Sequence, residues 1–175
     1  GIDAAKVRWV SLPPPQLRQA LAAGRVDAIT ELVTGRPGVE ALADGRGTVV
    51  LPYSDYLTDL YGNVLATTST TAAAHPDLVR RFRDAILRGL QYAIDHPGEA
   101  GQIFAKYQPQ YRADVAAAEI GLMAPYSRAD QWGVPVGALD ERRVMRSIAV
   151  LQGAGALPAG ITPDSVVSFN LALGS

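Results

Sequence analysis

From Leu78 to Ala93 the apolar residues Leu78, Val79, Phe82, Ala85, Ile86, Leu90 and Ala93 recur every three or four positions, with charged residues between them. That spacing draws one stripe along a 3.6-residue repeat and predicts a single helix over residues 76–95. Shorter stretches share the period. Leu17, Ala20 and Leu21 mark a helix from Gln16 to Ala23, stopped by Gly24 where a left-handed residue is wanted. Val39 and Leu42 mark another between Pro37 and Gly45. Beyond the long helix, Ala100, Ile103 and Phe104 follow a restart at Pro97, and "ADVAAAEIGLM", "LDERRVMRSIAVLQG" and a short run after Pro163 continue the helical series.

Elsewhere the period is two. "KVRWVSL" sets Val7, Trp9 and Ser11 against Arg8, Val10 and Leu12, and "VDAIT", "GTVVLP" and "NVLATT" are short β-branched runs bounded by turn residues. All four read as strands. The portion up to about residue 60 is therefore expected to be α/β, and from Ala74 onward helical, with the connection Tyr53 to Asn63 as the boundary and hinge.

At 175 residues and 48% hydrophobic, the chain is long enough to bury a core in one domain or two small lobes. Its 16 basic and 17 acidic residues leave a net charge of -1, so there is no bulk positive field for nucleic acid and a small molecule is the expected partner. Cysteine is absent, which removes disulfides, thiolate nucleophiles and thiolate metal sites. No apolar run reaches about 18 residues, and "GIDAAKVRWV" is not built like a signal peptide.

The two histidines do not form a site. His75 and His96 flank the long helix, on the order of 30 Å apart along it, and each precedes a proline at a helix start, where capping is the expected role. Nucleophile-elbow, Walker, dinucleotide, HExxH and calcium-loop motifs are all missing, so no enzyme activity, metal or cofactor is expected.

Polar chemistry gathers in two places. Asp27 and Glu31 lie in and at the end of "VDAITE"; Asp27 is expected to hold backbone groups at the helix-to-strand turn. Glu31, at the strand end where open α/β sheets place ligands, reads either as a ligand contact or as a solvated acid. Tyr53, Tyr56 and Tyr61 alternate with Asp55, Asp59 and Asn63 in one connection, which reads either as a small-molecule site or as a packed hinge. The expected ligand-binding residues are Glu31, Tyr53, Asp59, Tyr61 and Asn63.

"VRWVSLPPPQLRQALAAGRVDAITE" followed by "YGNVLATTSTTAAAHPDLVRRFRDAILRGLQYAIDHPGEAGQIFAKY" resembles the later half of substrate-binding proteins of ABC importers. The nearest group is the nitrate/sulfonate/taurine and thiamine-pyrimidine-precursor-binding family. The resemblance implies a periplasmic-binding-protein-like, type II, two-lobe α/β fold, incomplete here, with residues 1–60 as part of the second lobe and 61–175 as the C-terminal part of the first. It implies a solute-binding role for a small polar molecule, either an aminopyrimidine thiamine precursor or a sulfonate, taurine or nitrate-like solute. A transporter permease is the implied partner. The implied placement is periplasmic or extracellular, on a membrane-anchored lipoprotein whose signal is not in this chain. Because most of the first lobe falls outside it, the chain is expected to be a fragment or truncated form and to self-associate. A ligand-sensing regulatory domain shares the architecture. So does a thiamine-pyrimidine synthase, but that enzyme carries a cysteine-rich run that this sequence lacks.

Overall fold

Proline opens several of the helices. In the computed structural model, which describes residues 3–127 and 135–173, α1 (Pro14–Ala22), α2 (Arg36–Leu42) and α4 (Pro76–Asp95) all carry proline in the first turn. There the missing N–H has no intrahelical acceptor to lose. Helix α3 (Ser69–Ala74) starts instead on Thr68, whose side chain accepts the Thr71 N–H at 3.1 Å. The remaining helices are α5 (Pro97–Tyr107), α6 (Ala113–Ser127), α7 (Glu141–Gly153) and α8 (Pro163–Val166), with single 3₁₀ turns at Ala4–Lys6, Val33–Gly35, Tyr53–Asp55 and Phe169–Leu171. Helix α4 spans the whole stripe from Leu78 to Ala93, as the periodicity predicts.

Two helix ends close in the same way. After α1, Gly24 takes φ +66°, its N–H bonds to Leu21 C=O, and Arg25 N–H returns to Ala20 C=O. This is the Schellman arrangement. Gly155 at φ +71° repeats it after α7. The turn after α1 is thus closed by backbone bonds, with the Arg46 guanidinium donating to the Ala22 carbonyl; Asp27 is exposed and does not supply the bonds expected of it.

The histidines also differ from expectation. His75 makes no side-chain cap bond at the start of α4. His96 turns back onto the helix before it, with its ring stacked on Tyr92 at 4.5 Å and Nδ1 3.2 Å from the Tyr92 carbonyl.

The four expected strands are not sheet. Residues 7–12, 28–32, 46–52 and 62–68 run without ladder partners among the described residues, where the only strand-like pairing is a single parallel bridge between Ala138 and Leu173. Their ends are extended, as at Leu32, Pro52 and Thr68, so the period-two pattern gives the local conformation. A strand also needs a neighbour to take its N–H and C=O groups. Outside any ladder, these runs leave several of their apolar side chains in water: Trp9 is 84% exposed, Val49 89% and Leu51 83%.

Contacts group the chain into two units, Gly1–Val50 with Pro97–Leu122, and Leu51–His96 with Met123–Ser175. Each unit is built from two separate stretches of the chain, with α5 and most of α6 joining the N-terminal segment. In the first unit α1 packs on α2 around Ala20, Val39 and Ala43, and Ala116 is also buried. Gly101 lets α5 and α6 touch backbone to backbone, since a Cβ there would stand 2.8 Å from Ala117 N. The second unit buries Ile94, Val144, Ile148 and Leu171. Arg83 on α4 donates to the carbonyls of Leu171 at 2.5 Å and Ala172 at 3.3 Å.

These cores are small. The chain exposes 12734 Å², whereas two compact units, each of half its mass, would together expose about 9,900 Å².

Candidate functional site

Glu31 stands in the extended segment before the 3₁₀ turn Val33–Gly35. Arg18, on α1, donates its Nε–H to Glu31 Oε2 at 3.0 Å and an Nη1–H to Glu119 Oε1, on α6, at 2.9 Å. All three side chains are a little over a quarter exposed. The second oxygen of Glu31, Oε1, accepts the Leu32 N–H at 3.1 Å. Partial burial alone would lower the Arg18 pKa, but the hydrogen bond with Glu31 and the charges of Glu119 and Glu31 outweigh it and raise it. Arg18 is a permanent cation between two carboxylates.

Two buried glycines make room for it. A Cβ on Gly35 would stand 2.6 Å from Arg18 Nη2, and one on Gly38 would overlap Arg18 Nη1 and come within 2.7 Å of Glu119 Oε1. Glu31 is therefore a carboxylate held at two points. A carboxylate has about four acceptor positions, so acceptor capacity remains for a ligand donor.

In the second unit, residues 59–61 are fastened to the start of α7. Arg143 donates to the carbonyls of Asp59 at 3.4 Å and Leu60 at 3.1 Å. Ser147 donates its hydroxyl to the Asp59 carbonyl at 2.5 Å, and the Asp59 carboxylate pairs with Arg146 at 2.9 Å. The Tyr61 hydroxyl accepts the Asp140 N–H at 2.9 Å, which leaves its own proton to donate. Asp140 in turn caps α7 by accepting the Arg143 N–H at 2.7 Å.

Of the other expected residues, Tyr53 lies in the 3₁₀ turn Tyr53–Asp55 and is 64% exposed. Asn63 is exposed in the extended run before α3. The structure thus brings Asp59 and Tyr61 together on α7, places Tyr53 and Asn63 in the same unit, and sets Glu31 with Arg18 in the other. Among the described residues no three His, Asp or Glu side chains converge as metal ligands, and no helix is long and apolar enough to cross a membrane.

The model of the family described as NMT1/THI5 like matches residues 1–100. The chain belongs to the NMT1/THI5-like family. No curated protein and no solved structure matches it. Membership of the NMT1/THI5-like family implies a periplasmic-binding-protein-like fold and a solute-binding or related function. The span matched by the NMT1/THI5-like family contains Glu31, Tyr53, Asp59, Tyr61, Asn63 and Arg18. Of the groups that hold Glu31, Arg18, Asp59 and Tyr61, the Leu32 N–H and Arg18 itself lie within it, whereas Glu119, Asp140, Arg143, Arg146 and Ser147 lie beyond it.

Sequence reasoning missed those partners. Arg143, Arg146 and Ser147 fall at i, i+3 and i+4, a polar stripe on α7 beside the buried Val144 and Ile148, and that stripe was available as a signal. Arg18 and Glu119 are 101 residues apart, and no local pattern links them.

Proposed function

We propose that this protein is the solute-binding component of an ABC importer and that it captures a small polar molecule by hydrogen bonding, without chemistry on it. The observation that carries the reading is the match to the NMT1/THI5-like family over residues 1–100. Glu31, Tyr53, Asp59, Tyr61 and Asn63 are the proposed ligand contacts. Glu31 offers open acceptor positions, Tyr61 an uncommitted hydroxyl proton, and Asn63 an exposed amide that both donates and accepts. Groups of these kinds suit a planar donor-bearing ring, so an aminopyrimidine ranks above a sulfonate, taurine or nitrate. In this reading the α/β lobes of the family close over the ligand, the partner is a transporter permease, and the protein works on the periplasmic or extracellular side of the membrane.

Calorimetric titration of the protein as its gene encodes it, with 4-aminopyrimidine, taurine, an alkyl sulfonate and nitrate, tests the proposal. Binding of the aminopyrimidine is expected, and Asn63→Ala should weaken it by about five- to 150-fold, corresponding to roughly 1–3 kcal/mol for one lost hydrogen bond. Silence toward the whole panel would count against solute capture; tighter binding of an anion would move the ligand class.

A further inference from the structure

Glu31 lies on a segment without regular structure, where a glutamate has freedom about three torsions. Its carboxylate is nonetheless fixed. The Leu32 N–H holds Oε1 at 3.1 Å and Arg18 Nε–H holds Oε2 at 3.0 Å. Arg18 is anchored independently by Glu119 at 2.9 Å, and its guanidinium lies over Gly35 and Gly38, where any Cβ would collide with it. The order of support therefore runs from α6 and α2 to Arg18, and from Arg18 to Glu31.

We propose that Arg18 is the positioning residue of Glu31, and that Gly38 keeps open the seat its guanidinium needs to reach that carboxylate. The inference rests on the reading of Glu31 as a ligand contact. Arg18 touches no ligand in this scheme; it orders Glu31 before the ligand arrives, so less freedom is lost on binding. Gly38 gives the proposal an unusual handle. The atoms that an alanine Cβ would meet there are Arg18 Nη1, Arg18 Cζ and Glu119 Oε1, all near the ends of flexible side chains. Gly38→Ala therefore displaces the guanidinium without deleting a charge or disturbing backbone, and alanine is the better helix former in α2.

The test is titration with 4-aminopyrimidine of the wild-type protein, Glu31→Gln, Arg18→Met, Arg18→Lys and Gly38→Ala. Each variant is first shown by thermal melting to be folded. Arg18→Met, which keeps length and loses charge, should weaken binding about tenfold. Arg18→Lys should recover part of the loss, because an ammonium in the same place still draws on both carboxylates. Gly38→Ala should weaken binding like Arg18→Met while melting close to wild type. A ligand-free signature accompanies this: the Arg18 Nε–H resonance, slowed in exchange by its bond to Glu31, should be lost in Glu31→Gln and in Gly38→Ala.

The outcomes separate the two layers. If the wild type does not bind, or Glu31→Gln binds as well as it does, the proposed ligand role of Glu31 falls and takes this inference with it. If Glu31→Gln is weakened while Arg18→Met or Gly38→Ala binds normally, the ligand role stands and positioning by Arg18 is overturned. Arg18→Lys binding no better than Arg18→Met would overturn it too, by reducing Arg18 to packing. Should Arg18→Met fail to fold, Gly38→Ala and the resonance decide.

Discussion

The guanidinium of Arg143 lies 4.3 Å from the centroid of the Tyr61 ring, while its N–H groups reach the carbonyls of Asp59 and Leu60. One side chain thus grips a ring face and two backbone oxygens of the connection that carries three of the tyrosines. Removing it frees all three contacts at once. Arg143→Ala is expected to destabilise the protein by about 1–3 kcal/mol, from the lost cation–π contact and charged hydrogen bonds. Urea denaturation checks this, and Arg143→Lys, which keeps charge but loses the fork, should fall between the two. An unchanged midpoint in Arg143→Ala would show that Ser147 and Arg146 hold the connection unaided.

Two glycines in helices should respond oppositely to alanine. At Gly101 a Cβ would collide with Ala113 C=O and stand 2.8 Å from Ala117 N, both backbone atoms that cannot swing aside. Gly101→Ala should cost about 1–3 kcal/mol through forced separation of α5 and α6. Gly89, in α4, has nothing within 4 Å of its Cβ position, so Gly89→Ala should raise stability by about 0.5–1 kcal/mol. Paired thermal melts would expose a wrong helix contact at once, since both variants would then shift the same way.

Acid should weaken the α2 region first through Glu40. The Arg36 hydrogen bond at 2.7 Å and the Thr48 hydroxyl at 3.0 Å hold its carboxyl below the ordinary value of 4.5. A folded-state pKa below the unfolded one means stability that is fully present above 4.5 and is lost as pH falls from there toward the lowered value. Melting temperature followed from about pH 6 to pH 3 should decline less steeply in Glu40→Gln than in wild type. Asp114, held below its ordinary 3.8 by Arg112, remains in both proteins, so some acid slope persists. Identical slopes in the two would remove Glu40 from the account.

Association is expected at moderate concentration. Trp9 at 84%, Val49 at 89%, Leu51 at 83% and Val64 at 60% exposure sit on extended segments whose backbone lacks a ladder partner among the described residues. Such edges and patches are usually covered. Light scattering on the isolated chain from micromolar to millimolar concentration should show species larger than a monomer, and Trp9→Lys with Leu51→Lys should reduce them. A strictly monomeric chain would mean that these side chains tolerate water as they stand.

The helices were legible because their signals are local. The stripe from Leu78 to Ala93 states the period of α4, and Gly24 states where α1 ends, within a few residues of each. The strands were half legible: alternation in "KVRWVSL" and "GTVVLP" reports extended backbone, but pairing is a property of two segments, and the second is not written in the first. Glu31 and Tyr61 could be picked out as polar groups beside turns. The tertiary contacts that hold them could not, because Arg18, the partner of Glu31, meets Glu119 across 101 residues and Tyr61 meets Asp140 across 79. Tertiary contacts of that separation leave no periodicity to read.

Interleaving of the two units sets the order in which the molecule can be finished as it leaves the ribosome. The first unit needs Pro97–Leu122 as well as Gly1–Val50, so α1 and α2 must wait while the whole intervening segment is made. Elongation at about 5–20 residues per second makes that a delay of several seconds. During it, Ala20 and Val39 can already meet, but Arg18 has no Glu119. Helix α4 is complete before either unit can close, and its Arg83 then waits for the carbonyls of Leu171 and Ala172, 88 and 89 residues downstream. Nascent chains of this protein therefore spend their synthesis with segments whose partners are not yet made, the interval in which a chaperone has most to bind.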